Sequence, residues 1–124
     1  MLQSLLFKQP AFGFRERTRT QVKTITATEL AQRLNEDNPP LVVDVRMPEE
    51  YAQDGHIAGS RLLPLPVLLQ RSSELPKDQE MVFVCRSGSR SGIACEQLAN
   101  LGFENTVNMV GGMIGWKRAG LPSQ

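Results

Sequence analysis

The sequence predicts an α/β domain, a mainly parallel central sheet of about five strands flanked by helices on both faces. Three observations predict it. Leu41-Val42-Val43-Asp44-Val45 and Met81-Val82-Phe83-Val84 are nearly continuous apolar runs, the pattern of strands covered on both faces. Such runs alternate along the chain with stretches that carry helix caps and helical spacing. The 124 residues, 40% hydrophobic and 22% charged, make an ordinary globular chain with material for one core and one modest cleft.

The elements follow in order. Val22 to Ile25 reads as a short edge strand. Thr26 or Thr28 can cap a helix from Glu29 to Leu34, which ends before Asn38-Pro39-Pro40. After the strand at Leu41, Pro48 with Glu49 and Glu50 is a good helix start: proline suits the first turn, and carboxylates suit the positive end of the dipole. Gly55 ends that helix. Leu62 to Leu69, interrupted by Pro64 and Pro66, predicts a short strand and then a helix to about Glu74. The strand at Met81 runs into Cys85-Arg86-Ser87-Gly88-Ser89-Arg90-Ser91-Gly92, and a helix follows. On that helix Ala94, Leu98 and Leu101 share one face, Gly102 supplies a stop, and Phe103 is placed to pack back. Val107 to Val110 is a last strand, before Gly111-Gly112 and a helical turn around Trp116.

Before all of this, Met1 to Phe14 holds several apolar residues but is broken by Lys8 and Pro10, too short a run to cross a membrane, which takes about 20 apolar residues. Arg15, Arg17 and Arg19 follow the apolar stretch, the reverse of a secretory signal. Residues 1–22 are therefore expected to be a mobile or loosely docked arm, with an amphipathic surface anchor or a short targeting peptide as the alternative. Residues 23–124 are the expected domain. The formal charge of +1 divides into +4 over residues 1–23 and −3 over the remainder, which leaves no broad cationic face for a nucleic acid backbone. Cys85 and Cys95, ten positions apart, fit no zinc spacing and make a poor disulfide framework. No metal site is expected, and a reducing, cytoplasmic compartment is the simplest setting.

Cys85 stands where a parallel strand gives way to a helix. Ligands bind outside the carboxyl ends of such strands, and a tight Ser/Gly loop there aims several backbone N–H groups at one point. A thiol at that point has its pKa lowered by the amides, the helix N-terminus and the flanking guanidinium groups of Arg86 and Arg90. Cys85 is therefore expected to be a nucleophile. The plainer alternative, a small core residue ending a buried strand, leaves the loop Arg86, Ser87, Gly88, Ser89 and Arg90 without a purpose.

Taken with Asp44-Val45-Arg46, Gly55-His56-Ile57-Ala58-Gly59, and Gly111-Gly112-Met113-Ile114-Gly115-Trp116 followed by Gly120-Leu121-Pro122, the CRSGSR stretch at 85–90 resembles the rhodanese family of sulfurtransferases. The resemblance covers residues 23–122 in four ordered blocks and leaves only the arm outside. It implies a single-domain rhodanese fold in which Cys85 takes a sulfane sulfur as a covalent persulfide, with no other cofactor, and passes it to an acceptor. Thiosulfate is the usual test donor of the family and cyanide the usual test acceptor; a thiol or a thioredoxin-like protein would be other acceptors.

Arg86 and Arg90 are candidates for attracting the oxyanion of a small anionic donor, one of them possessing a second option, bracing the loop against an acid. Asp44 and Arg46 resemble the strand-end pair of the family and are expected to hold neighbouring loops. His56, the one histidine, is expected to brace a loop as well, because a thiolate attacking sulfur needs no general base. Cys95 and Trp116 read as core. Ser60 and Leu62 depart from the family's usual Ala and Asn. The phosphatase relatives use a loop one residue longer, with Arg at the sixth position after Cys, where this chain has Ser91, and commonly His before the Cys, where it has Val84. Phosphatase activity is thus the weaker enzyme reading. Two readings compete with a thiosulfate-type enzyme: a persulfide carrier or interaction module supplied by a partner protein, and an inactive binding domain.

Overall fold

The computed structural model describes residues 22–124, so the arm expected over 1–22 lies, Val22 apart, outside the described residues. Within them, five strands form one parallel sheet in the order β1-β5-β4-β2-β3. They are β1 (Lys23–Ile25), β2 (Leu41–Asp44), β3 (Arg61–Leu62), β4 (Met81–Val84) and β5 (Thr106–Met109). Four α-helices accompany them: α1 (Ala27–Arg33), α2 (Pro48–Gln53), α3 (Ser89–Ala99) and α4 (Gly112–Arg118). The central strand is β4, in register with β2 on one side (Val43 opposite Phe83) and β5 on the other (Val82 opposite Val107).

Side chains alternate across a strand, and the alternation divides the core. Val43, Val45, Phe83 and Cys85 lie in one apolar cluster with Ala94, Cys95 and Leu98 of α3, while Val42, Val82, Val84 and Met109 lie in the other with Leu30 of α1 and Met113 and Trp116 of α4. Every residue of β4 and of β5 is buried. The apolar runs are continuous for this reason: each face of the sheet carries its own helices.

Three expectations need correction. The helix predicted to run to about Glu74 is instead two 3-10 turns, Leu65–Val67 and Ser72–Glu74, and the chain crosses the face of the sheet there with only Leu68 and Leu75 deeply buried. α1 starts at Ala27, two residues before the expected Glu29, because Thr26 is the cap: its Oγ1 accepts from Glu29 N at 3.2 Å, and Glu29 Oε1 accepts from Thr26 N at 2.8 Å. Leu101 is 45% exposed rather than buried. α3 stops at Ala99, the chain reverses, and Phe103 N donates to Leu98 O at 3.1 Å; Phe103, as expected, and not Leu101, joins Ala94 and Leu98 in the core.

Candidate active site

β4 carries Cys85 to the carboxyl edge of the sheet, and α3 begins four residues later. Between them Gly88 adopts a φ of 103°, a left-handed conformation open to glycine at little cost. That reversal folds the loop over the sulfur. Cys85 Sγ accepts from Gly88 N at 3.1 Å, from Ser91 N at 3.4 Å and from Ser91 Oγ at 3.4 Å. Burial alone pushes a thiol up, yet the Ser91 hydroxyl and the N–H groups of Ser91, Gly88 and Ser87 outweigh it and hold Cys85 below the usual thiol value of 9.0.

The loop is held from behind by α4. Met113 N donates to Cys85 O at 2.9 Å and Ile114 N to Arg86 O at 3.1 Å. With those two carbonyls drawn toward α4, the amides that follow are left to face the sulfur. So close an approach requires glycine at position 112: φ is 56°, and a Cβ there would lie 2.4 Å from Arg86 O and 2.5 Å from Cys85 O.

The two arginines part company. Both terminal nitrogens of Arg90 go to Glu50, at 2.7 and 2.9 Å, tying α3 to α2. This pairing holds the Glu50 carboxyl down at about 2, against the cost of its partial burial, and raises Arg90. Of the two roles weighed for the arginines, bracing against an acid therefore describes Arg90. Arg86 is exposed and makes no ion pair among the described residues. With Lys117, Arg46, Asp54, Met113 and Ile114 it lines a cavity of about 250 Å³ beside the loop. Ser87 and Ser89 are exposed on the loop, their hydroxyls 3.5 Å apart. The acidity of Cys85 thus comes from amides and a hydroxyl; the guanidinium groups credited from sequence are not among its main causes.

Asp44 and Arg46 form a buried pair, each about 1% exposed. Arg46 Nη2 donates to Asp44 Oδ2 and to Gly55 O, both at 2.8 Å, joining the end of β2 to the turn after α2. His56 stacks on Tyr51 with ring centroids 3.8 Å apart, and its Nδ1 lies 3.0 Å from Tyr51 O. Its backbone exchanges two hydrogen bonds with Gln124. Both arrangements brace loops, and no hydrogen bond joins His56 to Cys85.

Sequence reasoning passed over Ser91, Asn108 and Glu50. Ser91 and Asn108 are buried, with Ser91 Oγ 2.5 Å from Asn108 Oδ1 and Asn108 Nδ2 3.1 Å from Gly88 O. One signal was available: Asn108 is an amide in the otherwise apolar Val107-Asn108-Met109-Val110 run.

A family model described as the rhodanese-like domain matches residues 26–119. The chain belongs to the rhodanese-like family. Its relatives include a protein of Allochromatium vinosum named sulfurtransferase, 44% identical over 101 residues that cover 82% of this chain and 94% of that protein. A putative sulfur carrier protein of Bacillus subtilis, YrkF, is 32% identical over 78% of this chain and 52% of its own length. Among solved structures, a rhodanese-like domain protein from Staphylococcus aureus superposes with a TM-score of 0.75 at 35% identity, covering 83% of this chain and 99% of that one. The rhodanese fold expected from the four sequence blocks is therefore the fold present, and the Allochromatium and Bacillus relatives are named for sulfur transfer and sulfur carriage.

Proposed function

We propose that this rhodanese domain is a sulfurtransferase that moves a sulfane sulfur from thiosulfate, or a related persulfide donor, to cyanide or a thiol through a Cys85 persulfide. The observation that carries the reading is the set of donors converging on Cys85 Sγ from Gly88 and Ser91. Donors so placed favour the thiolate before any substrate arrives.

The thiolate attacks the outer sulfur of the donor. The donor's S–S bond breaks and its electron pair leaves with sulfite, so the negative charge comes to rest on the outer sulfur of the persulfide. The acceptor then attacks that outer sulfur, and the pair of the Cys85 S–S bond returns to Sγ. Splitting the transfer in two allows one small site to serve unlike donors and acceptors. Exposed Arg86, which lines the adjoining cavity with Lys117, attracts the anionic donor, with Ser87 and Ser89 exposed on the same loop; Arg90, Asp44, Arg46 and His56 keep the loop in place. Two unbridged cysteines suit a reducing, cytoplasmic setting.

The second reading, a persulfide carrier loaded by a partner protein, draws on the relative named as a sulfur carrier and on Arg86 as a cation available to an acidic partner. One experiment separates the two. Intact mass spectrometry after incubation with thiosulfate is expected to show a gain of one sulfur, roughly 32 Da, on Cys85, removed by cyanide. A folded, reduced protein that takes no sulfur from thiosulfate but takes it from a protein persulfide would establish the carrier instead.

A further inference from the structure

The Ser91 hydroxyl has one hydrogen and two acceptors. Cys85 Sγ lies at 3.4 Å and Asn108 Oδ1 at 2.5 Å, and a hydroxyl donates to one acceptor at a time. Ser91 is fully buried and Asn108 is 8% exposed, so the hydroxyl depends on these two groups, and a buried donor left without an acceptor is costly. Asn108 cannot turn over to present its nitrogen, because Nδ2 is engaged by Gly88 O at 3.1 Å. Residue 92 makes room for this amide: a Cβ there would lie 3.3 Å from Asn108 Nδ2, and glycine, a poor helix former, stands in the first turns of α3.

We propose that Asn108 is a positioning residue for sulfur transfer: it holds the Ser91 hydroxyl while Cys85 Sγ is neutral and yields it to Sγ whenever that atom is anionic. The proposal rests on the persulfide reading above and adds a second state to it. In the resting thiolate, Ser91 donates to Sγ. Once the Sγ–S bond has formed and the donor's electron pair has left with sulfite, Sγ is neutral and the charge sits one atom outward. The hydroxyl then turns to Asn108. When the acceptor attacks the outer sulfur and the bonding pair returns to Sγ, the hydroxyl swings back and stabilises the departing thiolate. No proton leaves Ser91 at any stage. Ser91, which touches the reacting sulfur, is a catalytic residue, whereas Asn108 acts only through it.

The test is the pH profile of Cys85 alkylation by iodoacetamide, located by mass spectrometry, in the wild type, Ser91→Ala, Asn108→Val and the double variant, with circular dichroism as the check on folding. Ser91→Ala is expected to raise the midpoint by about one pH unit, and to slow the discharge of a preloaded persulfide by cyanide about tenfold. Ser91→Thr, which keeps the hydroxyl, restores both. Asn108→Val deprives the neutral-sulfur state of its acceptor, so the midpoint falls; in the Ser91→Ala background it does not move. A shift of equal size in both backgrounds, or none in either, overturns the proposal while leaving the nucleophile reading intact. A wild-type midpoint at the ordinary thiol value would sink that reading, and the proposal with it. If Asn108→Val does not fold, Gly92→Ala reads the same coupling, since its Cβ presses on the Asn108 amide, and a midpoint that moves only when Ser91 is present is the result required.

Discussion

Cys85 and Cys95 are equally hidden, each about 1% exposed and both in the apolar cluster between the sheet and α3, yet their acidities diverge. Burial drives Cys95 up to about 12, with Glu96 adding to the effect and a hydrogen bond with Thr106 opposing it. Cys85 bears the same kind of penalty and ends below the ordinary value, because four donors from Ser91, Gly88 and Ser87 converge on its sulfur. Depth in the fold therefore says little about a thiol. What separates the two is backbone direction: Cys95 stands within a helix whose amides are already spent on the helical ladder, while Cys85 precedes the helix and meets its unpaired N–H groups.

The largest way to break the contrast is to exchange the cysteines' fates. Cys85→Ser is expected to abolish sulfur loading from thiosulfate with folding retained, and Cys95→Ser to leave loading in place; mass spectrometry reads both, and sulfur found on Cys95 would refute the assignment. Gly112→Ala comes next. Its Cβ would meet the Cys85 and Arg86 carbonyls at 2.4 to 2.5 Å, so the loop must shift at a cost of about 2 kcal/mol, and the alkylation midpoint of Cys85 should climb toward that of an ordinary thiol. In the unaltered protein, iodoacetamide should modify Cys85 at half-maximal rate below pH 9.0, and Cys95 only after unfolding.

The smallest effect concerns Glu50. Its folded-state pKa of about 2 lies below the ordinary 4.5, so the stability it contributes is fully present above about pH 4.5 and is lost as pH falls toward 2. Glu50→Gln should remove about 1 kcal/mol, a figure that allows for solvent screening, and flatten urea-unfolding stability across that acidic window. The midpoint of Cys85 should hardly move, since amides rather than guanidinium groups supply its acidity. A large shift would mean that Arg90 matters more to the thiol than the backbone does.

Cys85 and its loop were legible in the sequence because the signal is local: an apolar run ends at a cysteine, and small residues lead into a helix. The parallel sheet was legible for a similar reason, in the continuous runs at Leu41 and Met81. What escaped notice is long-range. Glu50 meets Arg90 across 40 residues, and Asn108 meets Ser91 across 17; neither separation leaves a periodic trace. The segment from Leu65 to Glu74 failed differently, since prolines that end a helix also permit 3-10 turns, and only packing against the sheet decides between them.

The strand order carries a consequence for synthesis. Lys23 of β1 pairs with Val107 of β5, so β1 waits for β5, on the order of 4–16 s at translation rates of about 5–20 residues per second. The turn that follows β5 brings Gly112 against the Cys85 loop. The backing that α4 gives the Cys85 loop, through Met113 and Ile114, is thus made after the loop itself. The sheet closes, and the nucleophile's loop gains its support from behind, through the same late stretch of chain.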